Sequence, residues 1–219
     1  MTEISELFDL TKTVAAGLFQ GKTYPWEVLD GIKDYILSFG STLPEEEYEH
    51  PREGIWIARD ANVFPTAYIA APCIIDHGAE VRHCAFIRGS AIVGKNAVVG
   101  NSTEVKNAIL FDGVQAPHYN YVGDSVLGYK AHMGAGAVTS NVKGDKSLVV
   151  IKEPGNDRET RRKKVGAMLG DYAEIGCNTV LNPGTVIGRN TTVYPLSRVR
   201  GVIPENSIYK AEDVTVSKR

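Results

Sequence analysis

Arg88, Lys106 and His118 are the residues whose types and spacing point to chemistry in this chain of 219. Arg88 stands in FIRGSAIVG, Lys106 in NSTEVKNAI, and His118 in APHYNYVGD, with Tyr121 three residues further on. The two cations are eighteen positions apart. In a chain that returns to the same column every eighteen residues they stack one rung apart. Like charges on neighbouring rungs repel unless an anion joins them. A phosphate is the natural anion, and two solvated surface cations are the structural alternative. Imidazole as a class titrates near neutrality, so a loop histidine beside such a pair is the default general base.

The frame that must position them is visible between positions 57 and 109. An aliphatic residue recurs every six at Ile57, Val63, Ile69, Ile75, Val81, Ile87, Val93, Val99 and Val105. Four residues after each stands a small or short one, from Ala61 through Cys73 to Thr103, with Ile109 the larger exception. Six fits neither a helix nor a two-sided strand. It is the mark of a hexapeptide-repeat parallel β-helix, in which three units close one triangular coil. Coils stack at roughly 4.8 Å. Hexapeptide folds are known to wind left-handed, against the usual crossover rule, so the expected fold is mainly β, a left-handed parallel β-helix.

The formal net charge of −2 gives no global pull toward nucleic acid or an anionic membrane. Cys73, Cys84 and Cys177 have no zinc or redox spacing, and Cys73 reads as an inert corner residue. The start MTEISELFDL is acidic and no apolar run reaches the length of a membrane span, so a cytoplasmic protein is expected.

Residues 4–19 and 25–39 each place apolar side chains on one helical face. They are expected to be helices of an N-terminal cap over the open end of the coil, with 41–54 as a connector. The β-helix is expected over 55–203, with loop insertions at 111–121 and 140–168, and 204–219 as a tail covering an edge. The repeat resumes at Leu127 and Met133, and again from Leu169 to Val199. Function is expected at the interruptions, where loops sit on a rigid frame.

The pieces NSTEVK (101–106), HYNYVGD (118–124) and LGYKAHMGAGAVTSN (127–141) carry a resemblance. They resemble the acetyltransferase half of the bifunctional glucosamine-1-phosphate N-acetyltransferase/N-acetylglucosamine-1-phosphate uridyltransferases. The whole chain is similar to shorter stand-alone proteins labelled sugar-pyrophosphorylase-related. The resemblance implies an acetyl-CoA-dependent N-acetyltransferase of an amino-sugar phosphate, glucosamine 1-phosphate first, in nucleotide-sugar biosynthesis. It implies His118 as general base toward the sugar amine, and Arg88 and Lys106 on the 1-phosphate. Tyr121, His132, Asn141 and Lys164 are the further implied substrate contacts. Gly134, Ala135, Gly136 and Cys177 are implied at the acyl-CoA. It also implies a homotrimer, with no metal needed for acyl transfer.

The chain departs from that pattern at His132, where the family has Asn, and at Val142, where it has Tyr. Segment 143–168 is longer and carries RRKK at 161–164, either a grip on coenzyme A phosphates or a solvated charge run. No glycine-rich nucleotidyltransferase motif precedes the coil, so no uridyl transfer is expected. A zinc enzyme on the same coil needs converging histidines, but His77 and His83 are six apart and fall on adjacent faces. A non-catalytic sugar-phosphate-binding or structural trimer remains the alternative.

Overall fold

The computed structural model describes residues 2–153, 155–211 and 214–218. From Ile55 the chain winds as the expected left-handed parallel β-helix, its short strands paired in register from coil to coil. Three inward columns fill the prism. The first face stacks Ile57, Ile75, Val93, Leu110, Leu127, Leu169, Ile187 and Ile203. The second carries Val63, Val81, Val99 and Ala116, then Ile175, Val193 and Tyr209 beyond the Gln115–His132 pair. The third carries Ile69, Ile87, Val105 and Val122, then Thr139, Leu181 and Val199.

The edges are made by single residues in the left-handed backbone region. Between the second and third faces these are Cys84, Ser102, Tyr119, Gly136, Asn178 and Leu196, with φ from 51° at Tyr119 to 72° at Gly136. L-residues adopt this region singly at a modest cost, which the backbone bonds between coils offset. This edge is called the second edge below. The third edge lies between the third and first faces.

The expected loop at 111–121 is not a loop. Gln115–His118 is a strand, and Ala116 pairs with Val99. The sixfold count slips because the coil shortens. Val93 follows Ile75 by eighteen residues, but Leu110 follows Val93 by seventeen and Ile203 follows Ile187 by sixteen. The interruption at 140–168 is a true insertion. The chain leaves after Asn141 and rejoins at Gly166, building an antiparallel hairpin of Val150–Ile151 with Arg158–Glu159. Val149 and Ile151 are fully buried against the coil.

The N-terminal segment differs from expectation in form and place. It contains two α-helices, Ile4–Leu7 and Ile32–Gly40, and three 3-10 turns, rather than two long helices. It lies across the outer side of the first face instead of over the open end, with helix Ile32–Gly40 against strands Cys73–Ile75, Ala91–Val93 and Glu104–Leu110. The reason is the composition of that face. Its strands are apolar on both sides, so Ile74, Ile92, Ile109, Val126, Met168 and Val186 point outward and are buried there. Phe8 and Phe19 close on Phe111, with ring centroids 5.2 and 5.8 Å away. Six such aliphatic side chains at ~1.5–3 kcal/mol each would leave a large exposed apolar wall without this cover.

The ends are finished by strands. Tyr48–Arg52, expected as connector, pairs antiparallel with Ile55–Ala58. The expected tail instead continues the second face at Ser207–Ala211, and Val214–Ser217 folds back antiparallel on it. Glu212, Asp213 and Arg219 of that tail lie outside the described residues.

Candidate active site

Arg88 and Lys106 both emerge at the third edge, on adjacent coils, because Ile87 pairs with Val105. The expected stacking holds, but its electrostatic premise changes. Each cation already has a carboxylate partner. Arg88 donates to Glu104 Oε1 at 2.7 Å, and Lys106 Nζ lies 3.6 Å from Asp124 Oδ2. The bond to Glu104 holds the Arg88 pKa above its ordinary value. Asp124 is nearly buried, and its two oxygens also accept from Asn107 Nδ2 at 2.8 Å and Asn141 Nδ2 at 2.5 Å. The Asn141 amide reaches the Tyr121 hydroxyl as well, at 3.2 Å. Burial pushes the Tyr121 phenol up, so it stays a neutral donor and acceptor at physiological pH. Lys164 joins this edge through the insertion. It bridges to Val142, and Val165 N donates to Asn141 O.

His118 lies elsewhere, at the second edge. Its side chain is exposed, and its ring bonds to no described residue. The backbone there is held firmly. His118 O accepts from Gly136 N at 3.0 Å, and His118 N donates to Asn120 Oδ1 at 3.1 Å. Asn120 is 2% exposed, and its amide donates to Gly134 O and Ala137 O. One buried side chain thus locks the His118 corner to the Gly134–Gly136 corner of the next coil. Cys177 stacks beyond, since Asn178 N donates to Ala135 O.

The glycine at 134 is required by backbone contact, and the one at 136 faces a side-chain end. A Cβ on Gly136 would stand 2.2 Å from Asn178 Oδ1, and one on Gly134 would stand 2.7 Å from Cys177 N. Of the backbone amides in the 134–136 corner implied at the acyl-CoA, those of Gly134 and Gly136 are engaged. Both already donate, to Ile175 O and His118 O. Among the described residues, the amides of Ala135 and Cys177 donate to none.

The structure therefore gathers Arg88, Lys106, Tyr121, Asn141 and Lys164 at one edge, and His118, Gly134, Ala135, Gly136 and Cys177 at another. The third face lies between them, and Tyr121 spans part of it. It is three residues from His118, at most ~10 Å of extended chain, and its hydroxyl reaches Asn141. His132 belongs to neither group. It faces out from the second face and pairs with Glu174 at 2.8 Å.

Sequence reasoning missed Glu104, Asn107, Asn120 and Asp124. All four stand inside or beside the quoted pieces, and two charges of opposite sign at spacings of 16 and 18 residues are the signal that was there. Among the described residues, no group of three histidine, cysteine, aspartate or glutamate side chains is placed to hold a metal ion. His77 contacts Asp60 and Glu47, and His83 bonds to Thr66. Among the described residues, no helix is long and apolar enough to cross a membrane.

Residues 58–153 match the family described as the GMPPB C-terminal domain. The bifunctional protein GlmU of Methanococcus maripaludis is 30% identical over 118 residues, 53% of this chain and 28% of that protein. A bifunctional sugar-1-phosphate nucleotidylyltransferase/acetyltransferase of Sulfurisphaera tokodaii is 35% identical over 92 residues, 42% of this chain and 23% of that protein. The matched part thus spans about a quarter of those relatives' length. Among solved structures, the acetyltransferase domain of PglB from Neisseria gonorrhoeae with acetyl coenzyme A is 17% identical, covers 75% of this chain and 57% of that one, and has a TM-score of 0.35. The polySia-specific acetyltransferase NeuO is 10% identical, covers 72% and 80%, and has a TM-score of 0.44. Over about half of its length, the chain is similar in sequence to bifunctional sugar-1-phosphate nucleotidylyltransferase/acetyltransferases.

Proposed function

We propose that this chain is an acyl-CoA-dependent N-acyltransferase that moves acetyl from acetyl-CoA to the amine of an amino-sugar phosphate, glucosamine 1-phosphate first. One observation carries the reading. An exposed imidazole, on a corner whose backbone is held by buried Asn120, and a cationic, hydroxyl-bearing cluster flank the same outer face. A sugar laid across that face has its phosphate at Arg88 and Lys106 and its amine toward His118. Tyr121, Asn141 and Lys164 then meet the ring and phosphate oxygens.

The chemistry needs no covalent intermediate. The neutral amine nitrogen attacks the thioester carbonyl carbon while a ring nitrogen of His118 takes the amine proton. The free amides of Ala135 and Cys177 point to the second edge as the place for the acyl carbonyl, whose oxygen becomes negative in the transition state. Collapse expels the thiolate, and the proton held by the imidazole passes to sulfur. His132 takes no part in this scheme.

The carboxylates set an order of events. Arg88–Glu104 is exposed, and such pairs contribute little, so a phosphate can exchange for Glu104. Asp124 is held by two amides besides Lys106 and stays in place. That both cations are already paired is the observation favouring the other reading, a non-catalytic sugar-phosphate-binding or structural assembly. Exposed Tyr68 on the third face and Leu196 on the second edge (57% and 80%) support a homotrimer packed through these surfaces. A cytoplasmic location follows from the acyl donor.

Free-thiol release from acetyl-CoA with glucosamine 1-phosphate, galactosamine 1-phosphate and phosphate-free glucosamine tests the reading. Turnover with at least one phosphorylated amino sugar is expected. Binding without turnover for every acceptor hands the site to the non-catalytic alternative.

A further inference from the structure

The insertion and the last coils enclose a groove of about 1230 Å³ on the third edge, beyond the acceptor cluster. Its wall is built. Val149 and Ile151 of the hairpin sit over Gly184, where a Cβ would come within 2.8 and 3.0 Å of them. Lys152 O accepts from Val202 N at 3.0 Å, above Gly201, where a Cβ would stand 2.6 Å from that oxygen. Both glycines have left-handed φ, 80° and 81°, so the hairpin approaches where no side chain intervenes.

The lining is cationic although the whole chain is slightly acidic. Lys143, Lys152, Arg198 and Arg200 line it, against Asp145 among the described residues. Pro183, Val202 and Ile203 supply an apolar floor. Lys143 contacts Asp145, and Lys152 pairs with Asp157, so these two cations are oriented by their own carboxylates. The volume exceeds what a single phosphate or hexose needs and lies somewhat above the usual range of small-molecule sites. Several cations over an apolar floor suit a planar base joined to a diphosphate.

We propose that this groove binds a nucleoside diphosphate moiety, a chemistry shared by nucleotide sugars and by the adenosine end of coenzyme A. Coenzyme A in this groove rests on the acetyl-transfer reading and a nucleotide sugar does not, so binding of UDP or GDP alone stands even where acetyl transfer fails. Calorimetry of the full chain with UDP, GDP, ADP, coenzyme A, pyrophosphate and uridine tests it, with no acyl donor or amino sugar present. At least one of the four probes that join a nucleoside to a diphosphate is expected to bind more tightly than both uridine and pyrophosphate. Arg200→Ala and Lys143→Ala should each weaken that binding by ~10-fold or more. Both residues are at least partly exposed, and circular dichroism checks that the variants keep the coil. Coenzyme A displacing UDP or GDP assigns the groove to the acyl donor's nucleotide end. UDP or GDP binding that coenzyme A does not displace assigns it to a nucleotide sugar. No heat from any probe, uridine or pyrophosphate binding as well as those four, or affinity unchanged in both variants overturns the inference.

Discussion

Arg88 donates to Glu104 from one coil to the next at 2.7 Å, so the cation nearest the proposed phosphate is occupied before any ligand arrives. Glu104→Gln removes the competing charge and is expected to lower KM for a phosphorylated acceptor several-fold without raising kcat. Arg88→Ala is expected to raise that KM by ~10–100-fold and to leave phosphate-free sugars unaffected. Equal loss on both kinds of acceptor would remove the phosphate from this edge.

His118 is exposed and positioned by backbone, so His118→Ala should leave the fold intact. Its kcat is expected to fall ~10²–10⁴-fold, the range for a general base. Turnover that survives the change would take the base role away from this residue.

Asn120 joins the histidine corner to the glycine corner through three hydrogen bonds. Asn120→Ala leaves buried backbone groups unpaired, at ~1–3 kcal/mol each. Lower melting temperature together with reduced kcat at unchanged acceptor KM is expected. A purely structural role would move the melting temperature alone.

Tyr48 donates to the fully buried Asp76 at 2.6 Å, and burial, with Asp76 behind it, pushes the phenol far above its ordinary pKa. The protonated phenol contributes fully below pH ~10 and its contribution is lost as pH climbs through the higher folded value. Denaturant melts from pH 7 to 11 should show stability falling above pH ~10, with a shallower fall in Tyr48→Phe. That variant leaves the buried Asp76 Oδ1 with the His77 amide as its remaining donor and is expected to be less stable by ~1–3 kcal/mol at neutral pH. Parallel alkaline slopes in the two proteins would reject the assignment.

Gly184 sits at φ 80° under Val149 and Ile151. Gly184→Ala strains the backbone and lifts the hairpin, at ~1–3 kcal/mol. Faster protease cleavage within 143–148 is the expected readout. Unchanged cleavage would show that the hairpin does not depend on this contact.

The coil was legible because the inward columns repeat in sequence, and Arg88 and Lys106 were placed on one edge by that count alone. What the count could not give was coil length. When Leu110 and Ile203 arrive early, the sixfold rhythm looks broken although the wall continues. The position of the cap was written in the triplets CII, AIV, AIL, SVL, AML and TVI, apolar on both sides where the other faces alternate. Apolar spacing at 4–19 pointed to a long helix, yet packing over a flat sheet selects short 3-10 turns instead. The salt partners Glu104 and Asp124 stayed hidden because ion pairing depends on which carboxylate of the adjacent coil lies within reach of each cation.

The N-terminal segment roofs one of the three walls, and reversed strands close part of the first and last rungs. Lengthwise fibre growth from either tip is therefore obstructed, and sheets of prisms cannot spread in every lateral direction. The two remaining walls carry no such roof and are left bare to solvent. The same roof leaves the ledge between imidazole and guanidinium open to solvent.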